Sequence, residues 1–94
     1  VNHSPEIKAF IREHNALFWY TPEDKKEEIS EELLVEMILN YGDLEAIQKL
    51  IGIMGIKKVA DIFFTSVNLS ERRKGNYFDT TLNFFTLFFQ RYAS

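Results

Sequence analysis

Cysteine is missing altogether from this 94-residue sequence, and histidine and proline occur only twice each. Without a thiol the chain forms no disulfide framework, no thiolate zinc site and no cysteine nucleophile. The histidines, His3 and His14, stand eleven residues apart, whereas a helical zinc pair needs its rings about one turn apart on one face. His14 reads instead as a helix C-terminal residue interacting with the dipole, and His3 as part of a frayed end. The four glycines, Gly42, Gly52, Gly55 and Gly75, are too scattered for a phosphate-cradling loop. Long apolar runs are also absent: Leu82 to Phe89 is broken by Asn83 and Thr86 and falls short of the roughly 20 residues of a membrane span. No signal-peptide h-region opens the chain, so the cytoplasm is the expected compartment. Val1 in place of an initiator Met leaves room for a natural start further upstream.

Apolar surface is plentiful. The chain is 46% hydrophobic and 15% aromatic, enough for the core of one domain spanning residues 1–94. A domain this short buries a modest fraction of its surface, so its stability is thin or shared with a partner, and a homodimer is one expectation. The formal net charge of -3 hides an asymmetry: residues 1–50 hold eleven acids against five bases, residues 51–94 three acids against six bases. That split describes surface potential rather than fold.

Helical spacing with start and stop signals dominates the chain. Ser4 and Pro5 open a first helix to about His14, with Ile7, Phe10 and Ile11 on one stripe. Leu17, Phe18, Trp19 and Tyr20 follow as a connecting segment too hydrophobic for solvent, read as a core anchor. Thr21, Pro22 and Asp24 start a short, highly charged and exposed turn of helix through Glu28. Ser30 caps a helix whose Leu33, Leu34, Met37, Ile38 and Tyr41 mark one buried face, ended by a left-handed Gly42. Asp43 caps the next, with Leu44, Ile47, Leu50, Ile51 and Met54 in period before Gly55; Gly52 inside it predicts close packing or an earlier helix end. Ile56, Val59, Ala60, Ile62 and Phe63 continue as a second helix beyond Gly55. Residues 69–76 read as an exposed loop, and the last helix begins near Tyr77, with Phe78, Leu82, Phe85, Phe89 and Tyr92 on one stripe and Phe84 and Phe88 on a second. So wide an apolar face belongs either to a central helix or to one that meets a partner. Residues 62–67 and 84–89 are also rich in strand-favouring types, but the alternation of a half-buried strand is missing.

Chemistry finds little purchase. Glu27, Glu28, Glu31, Glu32 and Glu36 are dense, yet the run has the polarity of a solvated face, and catalytic acids need burial or a close like charge. It lacks the acid and glycine spacing of a calcium loop. No nucleophile and base stand at recognisable spacing, so no catalytic, cofactor-binding or metal residue is assigned and the chain is read as non-catalytic. Lys57, Lys58, Arg72, Arg73 and Lys74 are candidate phosphate contacts, and the helices around Gly55 invite a divergent helix-turn-helix with residues 56–64 as recognition helix. That alignment places Ile51 where a small residue packs and Asp61 where an apolar one is buried. Trp19, Phe84 and Phe88 are candidate interaction residues, although a core role is favoured for Trp19.

Three segments, Leu17-Phe18-Trp19, Asn40-Tyr41-Gly42-Asp43-Leu44-Glu45 and Leu82-Asn83-Phe84-Phe85, carry a resemblance. In that order they resemble a group of small uncharacterised bacterial helical proteins found beside nucleotidyltransferase-type abortive-infection toxins. The chain departs from the group in the added stretch Arg72 to Asp79 and in Gln48, Lys49 and Leu50, where the group is aromatic. The resemblance implies an all-helical fold and an accessory or antitoxin-like role, and it supplies no catalytic residue.

The expectation is therefore an all-α, compact orthogonal bundle of about five short helices in a single domain. It acts as a protein-interaction module, through a protein partner or as a homodimer, without cofactor or membrane. A small DNA-binding transcriptional regulator is the alternative.

Overall fold

Helix starts coincide with capping side chains in the computed structural model, which describes residues 3–19, 21–69 and 71–93. Tyr20 and Ser70 lie outside the described residues. α1 (Pro5–Glu13) begins at Ser4, whose Oγ accepts from the Ile7 N–H. Two 3-10 turns, Asn15–Phe18 and Glu23–Glu28, lead to α2 (Glu31–Tyr41), which Ser30 caps by accepting from the Leu33 N–H at 3.1 Å. Asp43 accepts from Ala46 at 2.8 Å to open α3 (Leu44–Met54). α4 (Ile56–Leu69), the short α5 (Glu71–Lys74) and α6 (Asp79–Tyr92) complete an all-α domain with no strand among the described residues. A hydroxyl or carboxylate at the cap satisfies backbone donors that the first turn leaves open, which is why these starts are legible locally.

α2 is the central element. It packs on α3, α4 and the first 3-10 turn, and Leu34, Val35, Met37, Ile38 and Leu39 are all buried, so it is enclosed nearly all round rather than along one face. α4 lies beside it, and Phe63 of α4 meets Tyr77 and Phe89 edge-on at 5.1 and 5.5 Å. α1 closes the other side through Ile7, Phe10 and Ile11. The radius of gyration, 12.6 Å, is what a compact chain of this length has, about 12.4 Å.

Several expectations are corrected. Gly42 is not left-handed: its φ of -73° and ψ of 153° are extended, because Asp43 caps the next helix at once. It is required for space, since a Cβ there would lie 2.6 Å from the Ile38 carbonyl oxygen. The positive φ, +91°, belongs to Gly55. Gly52 neither packs closely nor ends its helix; a Cβ there meets nothing within 4 Å. Tyr41 and Leu44 are exposed rather than buried. The stretch read as a loop is shorter, because α4 runs to Leu69 and residues 71–74 are helical, and the last helix starts at Asp79 with Tyr77 buried ahead of it. His3 is not frayed: it is buried, with Nε2 bonded to the Ile29 carbonyl. The charged turn is not wholly exposed either. Lys26 is buried, its ammonium donating to Glu23 at 2.9 Å and to the Asn15 carbonyl at 3.4 Å.

Candidate functional site

α6 carries no formal charge between Asp79 in its first turn and Arg91 in its last, each with the sign the helix dipole favours at its end. It packs chiefly on α4, and a helix held from one side buries one stripe. Phe85 and Phe89 fill that stripe. Phe84, Phe88 and Tyr92 fall at i, i+4 and i+8 on the flank. They form a continuous ladder: Phe84 stacks on Phe88 with centroids 5.8 Å apart and planes 16° from parallel, and Phe88 meets Tyr92 at 5.1 Å. Phe84, Leu87 and Tyr92 are 59%, 67% and 58% exposed. With Phe88 and Arg91 they line a shallow hollow of about 260 Å³, and the Arg91 guanidinium lies 5.5 Å from the Tyr92 ring centroid. Of the two uses open to a wide apolar face, a central position is thus ruled out for α6. Exposed aromatics scattered singly are ordinary, whereas these rings stand contiguous along one helix flank.

Trp19 is not the core anchor. It is 74% exposed, while Phe18 beside it is fully buried. The reason is the 3-10 geometry of Asn15–Phe18, in which successive side chains are about 120° apart, so one inward ring sends the next outward. Trp19 and the α6 ladder are both exposed, on different elements of the chain.

The five basic candidates divide. Lys57 and Lys58 stand at the start of α4 and Arg72, Arg73 and Lys74 follow its end, roughly 20 Å away along the helix. Lys58 is paired with Glu31 at 3.1 Å. Only Gly55 separates α3 from α4, where a helix-turn-helix uses a turn of about three or four residues. The acidic run is likewise partly neutralised within the chain: Glu27 meets Arg12 at 2.8 Å and Glu31 meets Lys58.

Glu36 departs from the solvated face altogether. It is buried, and burial holds its carboxyl above the ordinary value, against the opposing pull of the Asn76 amide and the Arg73 charge. Asn76 Nδ2 donates to Glu36 Oε1 at 3.4 Å. Tyr77 next to it is buried, and its phenol is pushed up first by burial and then by the Glu36 charge. The Tyr77 and Ser66 hydroxyls are buried with no hydrogen-bond partner among the described residues. This cluster unites α2 with the segment before α6, about forty residues later, and no local pattern announces it.

The chain matches no family model, no curated protein and no solved structure. The function must therefore be argued from the geometry. Among the described residues no three His, Asp or Glu side chains gather in a way that would hold a metal ion, and no helix is long and apolar enough to cross a membrane. A groove of about 530 Å³ between α4 and α6, lined by Phe64, Val67, Asn68, Lys74, Leu82 and Thr86 among others, brings amides and apolar side chains together beside one ammonium, with no carboxylate in the lining.

Proposed function

We propose that the protein is a non-catalytic helical interaction module whose docking surface is the outer face of α6. The observation that carries this reading is the unbroken ladder of Phe84, Phe88 and Tyr92, with Leu87 beside it, on a helix whose other stripe already completes the core. Rings presented together on a rigid helix are the anchors that dominate binding energy once desolvated. The acidic segment is the lesser candidate, since several of its carboxylates are answered by the chain's own bases.

An accessory or antitoxin-like role beside a larger bacterial protein is what the resemblance of the sequence implies for such a module. Co-expression with the product of the neighbouring gene tests it. The wild-type chain is expected to be retained with that product or to assemble with itself. The Phe84→Ser variant should lose that assembly at an unchanged melting temperature. Absence of any assembly, or unfolding of the variant, would remove the reading.

Duplex binding is the weaker proposal, supported by the exposed Arg72, Arg73 and Lys74 of α5. It requires affinity that falls steeply with salt and a loss on all duplex sequences when Arg72 and Arg73 become alanine; unchanged affinity would exclude it.

A further inference from the structure

We infer that the groove between α4 and α6 takes the free C-terminal end of an extended peptide, about three apolar residues long, with its carboxylate on Lys74. The site is independent of the aromatic ladder: Asn83, Thr86 and Gln90 lie on one side of the buried Phe85 and Phe89 stripe, and Phe84, Phe88 and Tyr92 on the other.

Charge comes first. In a chain with 14 acids against 11 Lys and Arg, the groove lining holds one cation, Lys74, and no carboxylate. The Lys74 ammonium is exposed and forms no ion pair or hydrogen bond among the described residues, so its charge is open to an anion. Its backbone carbonyl accepts from the Tyr77 N–H at 3.2 Å. That bond holds Lys74 beside the start of α6, and so at one end of the groove.

The amides decide the body of the ligand. Asn68, Asn83 and Gln90 each present a carbonyl and an NH2 side by side, the complement of a peptide unit's own donor and acceptor. Thr86 gives its proton to the Leu82 carbonyl at 2.6 Å, which leaves its oxygen as an acceptor for a peptide N–H. Phe64, Val67, Leu82 and Leu87 supply the apolar walls. A fatty acid would satisfy Lys74 and those walls but strip water from the amides without replacing its hydrogen bonds, which is unfavourable. A nucleotide would bring a doubly charged phosphate to a single ammonium, and a base for which the lining offers only the half-buried Phe64 ring. A peptide meets all three kinds of group.

Size agrees. The groove, about 530 Å³, lies within the roughly 300–1,000 Å³ of small-ligand sites. From Asn83 to Gln90 α6 rises about 10 Å, the reach of about three extended residues. So short a ligand, held by one exposed charge, corresponds to a dissociation constant on the order of 1 mM.

Titration of the isotope-labelled full chain with acetyl-Ala-Val-Leu, followed by NMR amide shifts, is the test. Saturable shifts are expected at the side-chain amides of Asn68, Asn83 and Gln90. The same peptide with a C-terminal carboxamide should bind about two- to fivefold more weakly. Lys74→Gln should lower the affinity of the acid to that of the carboxamide and leave the carboxamide unchanged, while Asn83→Leu should weaken both. Lys74 and Asn83 are exposed, so an unaltered backbone spectrum outside the groove checks that each variant is folded. Equal binding of acid and carboxamide would overturn the carboxylate on Lys74, and decanoate binding as tightly as the peptide would overturn recognition by the amides. Tighter binding of uridine monophosphate would overturn the peptide in favour of a nucleotide. No shift at about 10 mM peptide would overturn the site itself.

Discussion

Asn40 and Asn76 are joined by a side-chain to backbone hydrogen bond that closes the end of the fold: Asn40 Nδ2 donates to the Asn76 carbonyl at 3.0 Å, and Asn40 Oδ1 accepts from the Phe78 N–H at 3.1 Å. One amide on α2 thus holds the backbone on both sides of the buried Tyr77 and sets where α6 begins. Asn40→Ala removes both bonds and is expected to cost about 1–2 kcal/mol. The urea midpoint measures it, and faster amide exchange at Phe78 than at α3 locates the loss. An unchanged midpoint would show that the clasp contributes nothing.

Two glycines should respond in opposite directions. Gly52→Ala adds a methyl where nothing lies within 4 Å, on an exposed helical position, so it should stabilise by about 0.5–1 kcal/mol. Gly42→Ala places its Cβ against the Ile38 carbonyl oxygen at 2.6 Å and should lower the melting temperature. Thermal unfolding of the two variants side by side checks both signs.

Phe18 and Trp19, adjacent in sequence, should differ sharply on truncation. Phe18→Ala empties a fully buried site and is expected to cost about 3–5 kcal/mol. Trp19→Ala should cost well under about 1 kcal/mol. Since Trp19 is the one tryptophan, wild-type fluorescence should report a solvated indole, readily quenched by acrylamide. A blue-shifted, protected emission would contradict its exposed position.

Glu36 predicts a distinctive pH dependence. Burial raises its pKa above 4.5 in the folded chain, so the folded state holds this proton to higher pH than the unfolded state and loses stability from this group as pH rises through that interval. Glu36→Gln removes the buried charge. It should melt higher than wild type at pH 7, with the gap closing as pH falls toward 4.5. Glu13 and Glu23, lowered by hydrogen bonds from Lys49 and Lys26, favour the folded state above 4.5 and lose that contribution on acidification in both proteins. The difference between the two curves therefore isolates Glu36. A constant gap across pH would refute the assignment.

Much of this architecture is legible without coordinates. Ser4, Ser30 and Asp43 announce three helix starts because a cap acts on donors two or three residues away. The i, i+3, i+4 spacing of Ile7, Phe10 and Ile11 identifies a buried face for the same local reason. The candidate surface was only half legible. The second aromatic stripe of α6 was visible in the spacing of Phe84 and Phe88, but the pattern is the same whether that stripe is covered or bare. For Trp19 the sequence pointed inward, because hydrophobicity alone does not show which of several consecutive rings a tight turn directs to solvent.

What the sequence by itself determined is the all-α character, the order of the main helices and the absence of thiol chemistry, all consequences of residue type and of interactions within a turn or two. Only the tertiary structure decided that α2 is the enclosed helix and that α6 is the peripheral one. It alone took Glu36 and Lys26 out of the charged runs in which they stand and placed them inside. Those outcomes depend on which elements meet across tens of residues, and a side chain's solvent is set by its neighbours in space, which its neighbours in sequence do not specify.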